Sequence, residues 1–198
     1  MLQCVMFDFD GTVGDTLPVC IEGFRRTLEP LAGRSFSDAE IVATFGPSEE
    51  GCIMRLLPDR FEEGLAAYLK HYRELHESRP EPFPGVREVL SLLRKNGIRT
   101  ALVTGKGAGS CRISLERYGM LDSFDLVRTG RKEGPNKPED IRIVLETFGI
   151  PGADACYVGD HPSDIVAART AGAIPLAATW ADTADPDALR KENPAALF

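Results

Sequence analysis

The chain is punctuated by short apolar runs and by segments whose apolar residues recur every three or four positions. Residues 2–7 form the first run, of strand length, and it stops abruptly at Asp8, Asp10 and Gly11. Leu17, Cys20 or Ile21, Phe24 and Leu28 follow at helical spacing, closed by Pro30 and Gly33. Ser37-Asp38-Ala39-Glu40 reads as an N-cap leading into Ile41 and Val42, and a short helix is expected over residues 52–57. The longest amphipathic stretch places Phe61, Leu65, Tyr68, Leu69, Tyr72 and Leu75 on one face, with His71 and His76 on its polar side. It ends before the proline-rich Pro80-Glu81-Pro82-Phe83-Pro84-Gly85.

Beyond that linker, helix and strand alternate strictly. Val86, Val89, Leu90 and Leu93 mark a helix stopped at Gly97; residues 99–104, 124–128, 155–159 and 174–178 read as strands. Helices are predicted over residues 109–118, 138–148 and 162–171, and a polar tail closes the chain. Strands separated by single helices imply βαβ units, hence an α/β fold built on a doubly wound parallel sheet. The first crossover is too long for that scheme, because one helix suffices to connect parallel strands. The surplus predicts a small helical cap at 16–81 inserted into a catalytic core of 1–15 and 82–198. Gly11 and Gly14 on one side, and Pro80, Pro82 and Pro84 on the other, are the expected hinges.

Composition narrows the function classes. A chain of 198 residues buries roughly 70% of its unfolded surface and needs no staples. Its five cysteines are scattered without metal or disulfide spacing, and residues 1–7 lack the basic leader of a signal peptide, so a cytoplasmic location is expected. No apolar run approaches a membrane span. The formal charge of −7 argues against nucleic acid, yet a metal ion and a lysine would suffice to bind a phosphorylated small molecule.

Four predicted strand ends carry candidate chemistry. Asp8 and Asp10 alternate after the first strand, so both carboxylates can face one reacting group. Asp10-Gly11-Thr12 is equally readable as an ordinary turn. Thr104, Gly105 and Lys106 follow the second strand, where a hydroxyl and backbone amides could hold a phosphoryl oxygen. Lys137 stands at a helix start, where its charge opposes the helix dipole unless an anion lies nearby. Gly159-Asp160 and Asp164 end a later strand. Each alone has a structural explanation; four of them, in order, at one edge of one sheet are hard to ascribe to coincidence.

Asp8-Phe9-Asp10-Gly11-Thr12, Thr104, Lys137 and Gly159-Asp160 with Asp164 resemble the four signature motifs of the haloacid dehalogenase superfamily. A cap inserted after the first motif and followed by Phe83-Pro84-Gly85-Val86 is similar to the phosphoglycolate phosphatase-like branch. Gly14 and Gly105 depart from that pattern, which usually has a bulky apolar residue and an asparagine there. The resemblance implies a phosphatase for a small phosphorylated metabolite, phosphoglycolate by default, working through an aspartyl-phosphate. Asp8 would be the nucleophile and Asp10 the acid and then the base. Thr104 and Lys137 would hold phosphoryl oxygens. Magnesium would bind Asp8, the Asp10 carbonyl and Asp160, with Asp164 behind them. Lys106, beside Gly105, is expected to sense substrate or touch the closed cap. Arg25, Arg26, Arg34 and Arg55 lie in the cap, where they could meet a substrate anion or simply face solvent; His161, His71 and His76 are not expected to be ligands. A sugar-phosphate mutase on the same core and a phospho-accepting signalling domain are the alternatives. The sequence leaves monomer or homodimer open.

Overall fold

A computed structural model describes residues 1–198. Six parallel strands form the sheet: β1 (Cys4–Phe7), β2 (Arg99–Val103), β3 (Leu126–Arg128), β4 (Ala155–Gly159), β5 (Ile174–Ala177) and β6 (Ala196–Leu197), in the spatial order β3-β2-β1-β4-β5-β6. β1 lies centrally, Met6 registering with Ala101 on one side and Tyr157 on the other. Both faces of this strand are covered, which is why its sequence is apolar throughout rather than alternating. Val5 and Phe7 pack with Leu102, Cys156 and Val158 on one side of the sheet. Cys4 and Met6 pack with Ala101, Val103, Ala155 and Tyr157 on the other. The chain builds outward from β1 to β2 and β3, then crosses back to β4. The reversal opens a crevice at the carboxyl ends of β1 and β4.

Helices α1 (Leu17–Ala32), α2 (Asp38–Val42), α3 (Glu49–Leu56) and α4 (Phe61–Leu75) all lie between β1 and β2. They bury their own apolar cluster, including Phe24, Leu28, Ile41, Ile53, Tyr68 and Tyr72. The Phe24 and Tyr68 rings sit 4.6 Å apart, each burial contributing roughly 1.5–3 kcal/mol. The remaining helices are α5 (Val86–Lys95), α6 (Ala108–Arg117), α7 (Lys137–Phe148), α8 (Pro162–Ala171) and α9 (Pro186–Lys191). Ile113 of α6 joins the cluster of the insert, so the insert rests on α6. No helix is long and apolar enough to cross a membrane.

Several expectations are corrected. The tail is not merely polar: Asp185 caps α9 by accepting from the Asp187 and Ala188 amides, Leu189 is buried, and β6 pairs with β5. An isolated apolar residue and a two-residue strand carry too little periodicity to be seen in sequence. α3 begins at Glu49 rather than at Cys52, because its acidic first turn does not look apolar. His76 is not on a polar face but buried, edge-on to Tyr72 and Tyr118 in the short turn that ends α4. Gly11 and Gly14 lie in a turn in which the Gly11 amide donates to the Gly14 carbonyl and the Gly14 amide to the Phe9 carbonyl.

Candidate active site

Beyond β1 the pairing continues one residue further, the Asp8 amide donating to the Val158 carbonyl at 2.9 Å. Phe9 is fully buried under Tyr118, its ring stacked at 6.0 Å. The alternation then presents Asp8 and Asp10 at the open edge. Gly11 has φ +78°, and a Cβ there would lie 2.0 Å from Asp160 Oδ2, so the chain passes directly beneath that carboxylate. Gly14 is explained by Tyr118, whose hydroxyl would lie 2.5 Å from an added Cβ: the ring fills the volume that a bulky side chain would need.

Lys137, the first residue of α7, points its ammonium at the end of β1. It donates to Asp8 Oδ2 at 2.8 Å and to Asp164 Oδ1. Burial alone would pull this ammonium down; Asp164 and Asp8 hold it well above the ordinary lysine value. Asp164, buried in the first turn of α8, also accepts from the His161 amide, while His161 itself faces solvent and pairs with Ser163. Asp160 accepts from the Thr12 hydroxyl at 3.2 Å. Oxygen atoms of Asp8, Asp160 and Asp164 lie within 4.8 Å of one another.

One ammonium does not neutralise three carboxylates. Burial, outweighing the attraction of Lys137, pushes Asp8 up to about 6. Burial and then the neighbouring Asp8 and Asp164 push Asp160 up to about 8. Asp8 Oδ1 is buried without any hydrogen-bond partner. Such an orphaned oxygen among clustered hard donors fits a divalent cation such as magnesium, which the resemblance also implies.

Thr104 is buried after β2, its hydroxyl accepting from the Lys106 amide at 3.2 Å. A side chain at Gly105 would meet nothing within 4 Å, so this wall of the crevice is open. Lys106 is completely buried, its ammonium 3.1 Å from Asp10 Oδ1, 3.1 Å from Cys20 Sγ, 3.7 Å from Glu49 Oε1 and 4.4 Å above the Tyr72 ring. Asp10 also accepts from the Thr16 hydroxyl. Lys106 therefore joins the core to three residues of the helical insert. The cap arginines singled out in the sequence do not converge here: Arg25 pairs with Glu22 and Asp38, Arg26 with Glu22, Arg34 with Glu40, and Arg55 is exposed.

Thr16, Cys20 and Glu49 escape sequence reasoning. Glu49 sits in the acidic first turn of α3, the ordinary place for a helix-stabilising carboxylate, and nothing local shows that it reaches across to α6. Its carboxylate accepts from the Gly107 amide and the Ser110 hydroxyl at the α6 N-terminus, and from Tyr68 at 3.4 Å.

Comparison with known proteins agrees with this geometry. The phosphoglycolate phosphatase of Neisseria meningitidis is 30% identical over 190 residues, covering 90% of this chain and 81% of that protein. The pyrophosphatase PpaX of Halalkalibacterium halodurans is 29% identical over 174 residues, covering 86% and 80% respectively. The crystal structure of CbbY from Rhodobacter sphaeroides in complex with phosphate superposes with a TM-score of 0.82 at 18% identity, over all of this chain and 94% of that one, a likeness of fold. The family model of haloacid dehalogenase-like hydrolases matches residues 5–178, and the chain belongs to that family.

Proposed function

We propose that the protein is a magnesium-dependent phosphatase that hydrolyses a small phosphorylated metabolite through an aspartyl-phosphate on Asp8. The observation that carries this reading is the state of the Asp8 carboxylate: one oxygen held by Lys137 at 2.8 Å, the other buried and unbonded beside Asp160 and Asp164. Held in place by Lys137, the Asp8 carboxylate can give one oxygen to the cation and the other to phosphorus. The P–O bond to the leaving group breaks as the Asp8–P bond forms, and Asp10 gives the departing oxygen its proton. Asp10 then takes a proton from water, which attacks phosphorus and returns Asp8 and inorganic phosphate. Thr104 and Lys137 hold the phosphoryl oxygens as charge shifts onto them. Asp8, the Asp10 carbonyl and Asp160 would hold the cation with Asp164 supporting them, and the bound cation offsets repulsion between an anionic nucleophile and an anionic ester.

The helices of residues 16–81 act as the lid over this chemistry. Its seam with the core closes around Lys106, and Arg79 pairs with Asp15 at 2.8 Å where the two linkers run side by side. The test is phosphate release from a panel of phosphate esters, with and without magnesium. Phosphoglycolate and pyrophosphate serve as reference compounds because the relatives carry those names. Asp8→Asn is the blank and loses at least about a thousandfold in kcat, because no other group can accept the phosphoryl. Turnover by that variant, or turnover of wild type without any divalent cation, refutes the reading. Isomerised product without net phosphate release would identify a mutase instead.

A further inference from the structure

The leaving-group side of the crevice is built unlike the phosphoryl side. Its single ammonium, Lys106, already faces Asp10 and Glu49. The N-terminus of α6, the natural seat for a second anionic group, is taken by Glu49 through the Gly107 amide and the Ser110 hydroxyl. Glu50 lies against the same backbone, its Oε2 and Oε1 within 2.5 and 2.9 Å of where a Gly107 Cβ would be. Glu50 Oε2 is buried with no hydrogen-bond partner, so this carboxylate lacks a donor. The other cap arginines are paired away from Lys106 or open to solvent: Arg25, Arg26 and Arg34 pair with cap carboxylates, Arg73 and Arg79 with the core carboxylates Glu116 and Asp15, and Arg55 faces solvent. Open space at Gly105 leaves room for a substituent beside these groups.

Building on the phosphatase reading above, we infer that Glu49 and Glu50 select phosphate monoesters whose leaving group carries hydroxyl or ammonium donors and no second anionic group. A leaving group with a carboxylate or a second phosphoryl would meet Asp10, Glu49 and Glu50, while Lys106 is already paired with the first two. A hydroxyl or ammonium would instead supply the missing donor to Glu50. The same contacts explain why identity of family does not carry identity of substrate, since they come from cap residues outside the phosphoryl-binding set.

The experiment compares kcat/KM of the wild-type enzyme for glycerol phosphate and phosphoethanolamine with that for phosphoglycolate and pyrophosphate, then repeats the ratios in Glu50→Gln and Glu49→Gln. Wild type is expected to favour the uncharged or cationic leaving groups by at least about tenfold. Glu50→Gln, which keeps shape and the cap contact of Glu49, is expected to move the ratio at least about fivefold toward phosphoglycolate; Glu49→Gln moves it in the same direction. Preference of wild type for phosphoglycolate or pyrophosphate overturns the inference, including the case in which a second magnesium on the glutamates carries the anion. So does a ratio unmoved in Glu50→Gln. Phosphate release in an anionic-first order removes only this inference. Release from none of the compounds, with Asp8→Asn indistinguishable from wild type, removes the phosphatase reading and this inference with it.

Discussion

Two lysine ammonium groups organise the crevice, Lys106 buried and Lys137 half-buried, and they are wired differently. Lys137 bridges Asp8, just past β1, and Asp164, in the first turn of α8, so its pairing is complete within the α/β core. Lys106 bridges Asp10, on the core, and Glu49, on the helical insert, with Cys20 and Tyr72 of the insert completing its surroundings. The first pairing lies wholly within the core. The second spans the core and the insert. On the mechanism proposed above, the difference divides reaction and recognition between an edge built within the core and a seam shared with the insert, with one lysine at each.

Removing the core lysine tests the division most severely. Lys137→Met leaves Asp8 and Asp164 buried without their counter-charge and is expected to cost about 3–5 kcal/mol by chemical denaturation. The variant also loses about 10²–10³ in kcat, and millimolar magnesium should return part of the stability but not the rate. Full stability without the cation would show that Lys137 is not the charge holding this edge together.

Lys106→Met should be milder, about 1–3 kcal/mol, because Asp10 is partly open to water and Glu49 keeps three other donors. Its signature is positional: limited proteolysis should speed up in the linkers near Asp15 and Arg79, while cleavage within the sheet domain stays slow. Equal acceleration everywhere would erase the contrast between the two lysines.

Gly11→Ala sharpens the core half of the comparison. A side chain at φ +78° and 2.0 Å from Asp160 strains the turn and displaces the carboxylate, costing more than about 1 kcal/mol. The rise in Tm on adding magnesium should shrink with it, whereas Gly105→Ala, in open space, should leave that rise intact.

The smallest effect is a pH slope. Asp8 and Asp160 are raised from 3.8 to about 6 and about 8, so the folded chain binds more protons than the unfolded chain between those values. Stability from this source is present below pH 3.8 and is lost as pH rises through about 6 and about 8. Without divalent cation, Tm should therefore decline from pH 5 to pH 8 by a few degrees. Asp160→Asn should flatten the decline. A Tm that climbs across this interval would contradict the crowding of the carboxylates.

The parallel α/β architecture, the helical insert, the strand ends bearing Asp8, Thr104 and Asp160, and the helix start bearing Lys137 are all legible in the sequence. They depend on local signals: apolar runs of strand length, helical periodicity, and glycine or proline at the boundaries. Those signals end where partners are distant. Glu49 looks like any helix-start acid until α3 is set against α6, 58 residues away along the chain. Nothing near Gly14 in the sequence shows that Tyr118 fills its side-chain volume, and His76 looks solvated until the end of α4 turns it beneath Tyr118. The short β6 lacks any pattern of its own and exists because β5 offers it an edge. Periodicity and turn chemistry are properties of neighbours in sequence, so the chain by itself determined its elements and which residues stand at the open edge. Charge pairing and packing are properties of neighbours in space, so only the tertiary structure decided which carboxylates share Lys137, which share Lys106, and which oxygen of Asp8 is left without a partner.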